Sequence, residues 1–207
     1  MKSASVATTV AALMLTGCSG LLQNKEEPDQ TYMLRAAPAP TAPAPSVPGV
    51  LSVLRPVMQP GLDTDRILLT RNGQELDHFA SSRWSDSLSR VVAALAVQSL
   101  AGSGGFANVA EAGRGPVASD YELLLTVRHF EAAYDSAGAA PVIHVALECT
   151  LVASTPRRVL GRCDATAEET ANDNRMGAIV AAMERATQRA LAQVRSQAVG
   201  AANLAAK

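Results

Sequence analysis

The feature that most constrains the fold is a pair of neighbouring segments, within residues 143–167, in which apolar residues occupy every second position. The inward positions are Ile143, Val145, Leu147, Cys149 and Leu151 in the first segment and Val159, Gly161, Cys163, Ala165 and Ala167 in the second. Side chains on a β-strand point alternately to its two faces, so this pattern buries one face and leaves the other in water. With a turn around Thr155, Pro156 and Arg157, the sequence predicts an antiparallel hairpin with one covered face.

Two cysteines, Cys149 and Cys163, lie on the inner face of this hairpin. If the turn pairs residue 153 with residue 159, they stand opposite each other and can form a cross-strand disulfide, which an oxidising compartment would maintain. A register shift of one residue leaves two buried thiols instead. Both alternatives make the pair structural, because no His or further Cys stands at metal-ligand spacing.

Further strand signals lie upstream of this hairpin. Residues 121–130 are apolar on both faces in their middle, which predicts a strand in the centre of the sheet. The dipeptide Asn72-Gly73 lies between two short extended segments and predicts a second hairpin. Shorter strands are predicted at residues 31–34, 50–54 and 106–109.

Helical periodicity marks two segments. The first follows Trp84, with Ser85 as its N-cap and Asp86 in its first turn, and it ends at the glycine-rich turn 102–105. Its apolar residues recur at spacings of three and four, as Leu88, Val91, Val92 and Leu95. This spacing places them on one face, which is expected to pack on the sheet.

A second and longer helix is predicted over residues 172–199, with Asn172 or Asp173 as its cap. Its apolar stripe consists of Met176, Ile179, Val180, Met183, Ala190, Leu191 and Val194. Two polar pairs one turn apart are expected on its exposed side, Glu184 with Gln188 and Arg185 with Arg189. The small residues of the tail, 200–207, are expected to fray.

Together these elements predict an α/β domain, a compact mixed β-sheet of about five to seven strands packed by two main helices. We expect it to occupy residues 50–199. Before it lie a signal peptide at 1–17 and a segment at 18–49 that holds a short edge strand and a Pro/Ala-rich tether. The tether is expected because prolines at nearly every second or third position favour extended polyproline II.

The N-terminal segment has the pattern of a secretory signal. The cationic Lys2 precedes an apolar run from about Val6 to Leu15, and small residues follow. The run is too short to span a bilayer, so the remainder is interpreted as an exported chain.

The order Leu15-Thr16-Gly17-Cys18 resembles the lipobox of bacterial lipoproteins. In that motif the cysteine becomes the first mature residue and carries three acyl chains, which hold a protein durably where a single chain would not. The alternative is an ordinary signal peptide that contains a cysteine. Ser19, rather than Asp, follows Cys18, and by resemblance to Gram-negative sorting this favours the outer membrane.

Charge and composition exclude several function classes. From Cys18 onward the chain has 17 basic and 19 acidic residues, so it lacks the clustered positive charge that nucleic acid requires. The only lysines are Lys2, Lys25 and Lys207, so no phosphate-binding loop ending in Gly-Lys-Ser/Thr can exist.

The three histidines, His78, His129 and His144, lie in strand-like segments. Neither a Gly-x-Ser-x-Gly elbow nor a His-Glu-x-x-His helix accompanies them. Ordinary strand histidines explain this placement better than an envelope hydrolase does. We therefore expect no catalytic, cofactor-binding or metal site, and no enzymatic activity.

The order of several short motifs resembles the auxiliary lipoproteins of ABC-type transport systems. The motifs after Cys18 are Tyr32-Met33-Leu34, Leu51-Ser52-Val53, Asp65 to Ile67, Trp84 opening a helix, and Asp120-Tyr121 with Leu123. The resemblance covers roughly residues 31–195. The sequence departs from the family pattern in its long proline spacer and in Ser87, where such proteins often have proline.

The resemblance implies an accessory, non-catalytic role in a transenvelope lipid pathway. In such systems an inner-membrane ABC transporter works with a periplasmic protein that carries MCE (mammalian cell entry) domains, and the lipoprotein holds the outer-membrane end. The implied cargo is phospholipid or another hydrophobic molecule, and self-association is left open. The alternative is a lipoprotein that activates a cell-wall synthase or assembles a secretion complex, which would have the same overall build.

Replacing Cys18 with Ala removes the only thiol that the lipobox could acylate. We expect the variant to remain uncleaved or to become soluble, because no acyl chains then hold it in the membrane. Fractionation of the cell envelope tests this. A variant that is still processed and retained in the outer membrane would contradict the anchor.

Overall fold

One mixed sheet of nine strands forms the fold in the computed structural model, which describes residues 28–38, 47–102, 104–114, 118–136 and 138–205. The strands are β1 Gln30–Tyr32, β2 Val47–Val53, β3 Val57–Met58, β4 Arg66–Arg71, β5 Glu75–Trp84, β6 Phe106–Glu111, β7 Tyr121–Tyr134, β8 Val142–Ser154 and β9 Arg157–Thr170. The helices are α1 Leu88–Ala101 and α2 Met176–Ala205. The α/β class is confirmed, with more strands than the five to seven expected. Neither of these two helices, the ones in the described part of the chain, combines the length and the hydropathy that a membrane span requires.

Strand β7 is the centre of the sheet. One of its edges pairs with antiparallel β8 from Tyr121 to Ala133. The other edge receives three short parallel strands in succession, β2 at 121–123, β3 at 126–127 and β4 at 132–134. The sheet therefore forks, with β6 beside β2 at one end and with β5 and β1 beyond β4 at the other. The central position is confirmed, but only one face is fully covered, since Leu124 is 37% exposed.

The β8–β9 hairpin places Cys149 directly opposite Cys163, and the two sulfur atoms are bonded in the structure. The expected pairing of residue 153 with 159 is wrong by one residue, because Ala153 pairs with Arg158. A bulge between the Val152 and Leu151 pairs restores the register further along the hairpin. The residue pairing next to the turn therefore does not by itself determine which residues stand opposite each other at the cysteines.

Helix α1 begins later than predicted. Trp84 ends β5 instead of opening the helix, and Ser87 rather than Ser85 occupies the N-cap position. The first helical N–H groups find partners elsewhere, since Leu88 donates to the Thr64 carbonyl and Ser89 donates to the Asp63 carboxylate. The loop before β4 thus caps the helix, which local sequence does not reveal.

Helix α2 also differs from its prediction at both ends. It starts at Met176, so Asn172 and Asp173 do not cap it. It continues to Ala205 where fraying was expected, because its small residues are buried against β9. A Cβ added to Gly161 of β9 would lie 2.8 Å from the Cβ of Ala201, so a glycine there allows this close approach.

Three side chains of α2 cap the outer edge of β9. Arg189, Gln193 and Gln197 donate to the backbone carbonyls of Glu168, Thr166 and Asp164, respectively. The three donors are four residues apart on the helix, a rise of about 6.0 Å, and the three acceptors are two residues apart on the strand, a rise of about 6.8 Å. Because these distances are similar, each donor lies next to one outward-facing carbonyl. This ladder covers an edge that would otherwise be open to another strand.

The polar pairs expected on the exposed side of α2 bind other parts of the chain instead. Glu184 accepts the backbone N–H of Arg35, and Gln188 donates to the carbonyl of the same residue. Arg185 and Arg189 both contact Glu169 of β9. The hydrogen bond from Arg185 contributes most to lowering the pKa of Glu169, and the bond from Arg189 lowers it further. Partial burial of the carboxylate acts in the opposite direction, but the pKa stays below its usual value.

Replacing both Gln193 and Gln197 with Ala removes two of the bonds that cap β9. At about 1 kcal/mol for each bond, we expect the free energy of unfolding in urea to fall by about 2 kcal/mol. Gln98→Ala is the matched control, because that exposed α1 side chain bonds to none of the described residues. It should change stability by less than about 0.5 kcal/mol. Equal losses in the two variants would contradict a capping role.

Candidate functional site

The residues singled out from the sequence do not gather into one site. Cys18 lies outside the described residues, and Cys149 with Cys163 faces the core. The histidines lie on separate strands next to carboxylates. His129 Nδ1 is 2.8 Å from Glu131 and His144 Nδ1 is 3.2 Å from Glu168. Among the described residues, no group of three His, Cys, Asp or Glu side chains could hold a metal ion.

Trp84 lies in the core. It is 2% exposed and meets the ring of Phe130 edge-on at 6.2 Å between centroids. Its backbone N–H donates to the backbone carbonyl of Asp65 at 2.7 Å, and the carboxylate of Asp65 binds Arg83. Arg83 also pairs with Asp29, just before β1. The Asp65 and Trp84 motifs therefore join β1, β4 and β5.

Asp120 joins β2 to β7 in a similar way. Its carboxylate accepts the N–H of Val50 at 2.8 Å, and its own N–H donates to the Val50 carbonyl at 2.9 Å. Gly49 passes so close that an added Cβ would lie 2.7 Å from the Asp120 carboxylate, and its φ of +103° favours glycine. The motifs at 51–53 and 120–123 thus meet at the junction of β2 and β7, which these hydrogen bonds stabilise.

A cleft of about 840 Å³ opens on the face of the sheet that packs against the helices, next to the residues that precede α2. Leu69 of β4, Phe79 of β5 and Tyr134 of β7 contribute apolar surface to it. The rings of Phe79 and Tyr134 lie 6.3 Å apart. The Tyr134 hydroxyl donates to Asn174 at 2.6 Å, and burial raises the pKa of that hydroxyl. We call this surface the hairpin cleft.

The rim of the hairpin cleft carries charge. Arg71 contacts Asp77 at 2.9 Å, and Glu75 is the cross-strand neighbour of Arg71. The backbone N–H of His78 contributes most to lowering the pKa of Asp77, and Arg71 adds to it. An apolar floor with a few polar groups at its rim is the usual composition of a binding site.

Sequence reasoning missed this cleft. The hairpin around Asn72-Gly73 was predicted and is confirmed, with both residues at positive φ. Nothing local indicated that β4 would pair with the far end of β7, which places Tyr134 beside Phe79. The strand around 121–130 was also expected to end before Tyr134.

Comparison with known proteins gives a consistent assignment. A family model described as the ABC-type transport auxiliary lipoprotein component matches residues 32–195. The crystal structure of XCC0632 from Xanthomonas campestris superposes with a TM-score of 0.76 at 23% identity, covering 86% of this chain and 98% of that one. The hypothetical protein CT253 from Chlamydia trachomatis gives 0.53 at 10% identity, covering 74% and 97%. These two likenesses show a shared fold. No protein of curated function matches the sequence.

Replacing Gly49 with Ala should destabilise the fold, because the new methyl group would meet Asp120 and the backbone would be strained. We expect a loss of about 2 kcal/mol in the free energy of unfolding. Gly73→Ala is the matched control, since Gly73 also has positive φ but an added Cβ meets nothing within 4 Å. It should cost only about 1 kcal/mol. Equal costs would show that the contact with Asp120 contributes nothing.

Proposed function

This chain belongs to the family of ABC-type transport auxiliary lipoproteins, and we propose that it is a docking component of an intermembrane lipid transport system. In this proposal it holds a periplasmic MCE-domain protein, and through it an inner-membrane ABC transporter, at the outer membrane. The domain performs no chemistry of its own. The observation that carries the proposal is the family match, which runs from the β1 motif to the end of the α2 stripe.

The position of β1 supports a docking role. β1 pairs with β5 at residues 82–84, so Gln30 to Tyr32 are already part of the sheet. Only the 11 residues 19–29 then separate an acylated Cys18 from the sheet, a reach of at most about 40 Å. The residues between β1 and β2 connect two strands of the same sheet, so they add nothing to the distance between Cys18 and the sheet. An acylated chain would therefore keep its domain close to its own membrane, and a partner would have to come to it.

Co-purification of the tagged chain from its native envelope in mild detergent tests this function. We expect recovery of an MCE-domain protein together with its ABC transporter, identified by mass spectrometry. A mock purification from cells with an untagged chain is the control. Recovery of a cell-wall synthase or a secretion complex would favour the alternative role, and recovery of the lipoprotein alone would contradict docking.

A further inference from the structure

The strands that the structure describes pair with only part of the outer edge of β5. β4 occupies one edge of this strand, and β1 covers the other edge only at residues 82–84. Among the described residues, no strand pairs with the outer edge at 75–81. This stretch, Glu-Leu-Asp-His-Phe-Ala-Ser, contains neither the lysine nor the proline that commonly protects a strand edge. The edge of β9, in contrast, is capped by α2.

The hairpin cleft lies on the helix-side face of the sheet and reaches β5, the strand that carries this edge. Four consecutive residues, Asp77 to Ala80, contribute to its lining, although side chains on a strand alternate between faces. β5 is irregular here, since its register with β4 shifts between Arg66 and Leu68 and Ser81 has a φ of +50°, so consecutive residues reach the cleft. An added strand would make main-chain hydrogen bonds to β5 and place a side chain on the cleft side of the sheet beside Phe79, whose ring contacts Tyr134.

We propose that an extended segment of a partner protein adds as a strand to the 75–81 edge of β5 and inserts an apolar side chain into the hairpin cleft. Strand addition of this kind obtains affinity from main-chain bonds and specificity from alternate side chains. Phe79 and Tyr134 are half-buried and already in contact, so they form a preorganised apolar surface. The inference rests on the proposed docking function and names the chemistry of the docked segment.

Charge at the edge further defines this segment. Arg71 faces two carboxylates, Asp77 at 2.9 Å and Glu75 in the cross-strand position, so the edge retains excess negative charge. A lysine or arginine in the partner would neutralise it. The occupant is therefore an extended segment with an apolar residue and a flanking basic residue.

A lysine at the open edge should block strand addition, so the test compares Ala80→Lys with a matched variant. Ala80 is exposed and lines the cleft, whereas Ala107 is an exposed alanine on β6 at the opposite side of the sheet. In the full-length acylated chain, we expect Ala80→Lys to reduce recovery of the MCE-domain protein about tenfold, equivalent to one or two lost hydrogen bonds. Ala107→Lys should leave recovery unchanged. Urea denaturation of both variants checks that they remain folded.

The outcomes separate this inference from the docking function. If the unmodified chain recovers no transport protein, docking itself fails. If it does, and Ala80→Lys recovers as much, docking stands and strand addition to β5 is wrong. Glu75→Lys, which reverses charge without touching Phe79, should also weaken recovery, and unchanged recovery would reject the basic residue.

Amide hydrogen exchange identifies the occupant directly. In the recovered complex, we expect amides within 75–81 to be protected relative to the free chain. Protection already present in the free chain at high dilution would show that this protein's own upstream segment fills the edge. Protection that rises with the concentration of free chain would indicate a second copy. Either result, or no protection in the complex, would overturn the proposal.

Discussion

The pairing of β7 on both edges is the constraint on which the remaining structure depends. A strand of 14 residues is about 46 Å long, so a single long partner, β8, matches one edge while three short strands share the other. Each short strand then brings its own neighbours, which produces the fork. Three pairs of aromatic rings also link β7 to the strands on this side of the sheet. Trp84 with Phe130, Phe106 with Tyr121 and Phe79 with Tyr134 each connect β7 to a strand one position beyond its direct neighbour.

A forked sheet has several ends and edges, and the structure treats them differently. The long edge of β9 is covered because α2 runs beside it with matching spacing, so amide and guanidinium donors meet successive carbonyls. Among the described elements, no helix runs along β5, at the other side of the sheet. The edge of β5 then depends on β1, which has only three residues. The β9 edge is therefore capped because α2 is long enough to follow it, and the β5 edge is only partly paired because β1 is short.

The sequence predicts what depends on local pattern and fails where distant partners decide. Alternation of apolar residues gave the β8–β9 hairpin, and Asn72-Gly73 gave β4–β5, because both signals lie within a few residues. The helix caps were mispredicted since Leu88 and Ser89 find their acceptors at Thr64 and Asp63, across the chain. β3, a strand of only two residues between two prolines, has no pattern to detect. The family motifs were recognised, and the structure shows that they stabilise strand junctions.

The same reasoning explains why the hairpin cleft was not foreseen and why it remains open. Of the three aromatic pairs, those formed by Trp84 and Phe106 have a fully buried member, whereas Phe79 and Tyr134 are both only partly buried. The difference lies in α2, which begins at Met176, while Asn174 just before it accepts a hydrogen bond from the Tyr134 hydroxyl. Had the helix started at Asn172 as its local sequence suggests, its first turn would lie nearer these rings. Within the part of the chain that the structure describes, the residues between β9 and α2 therefore leave an apolar surface uncovered near a strand edge without a partner, and this combination, absent at β9, suits the site to an extended partner.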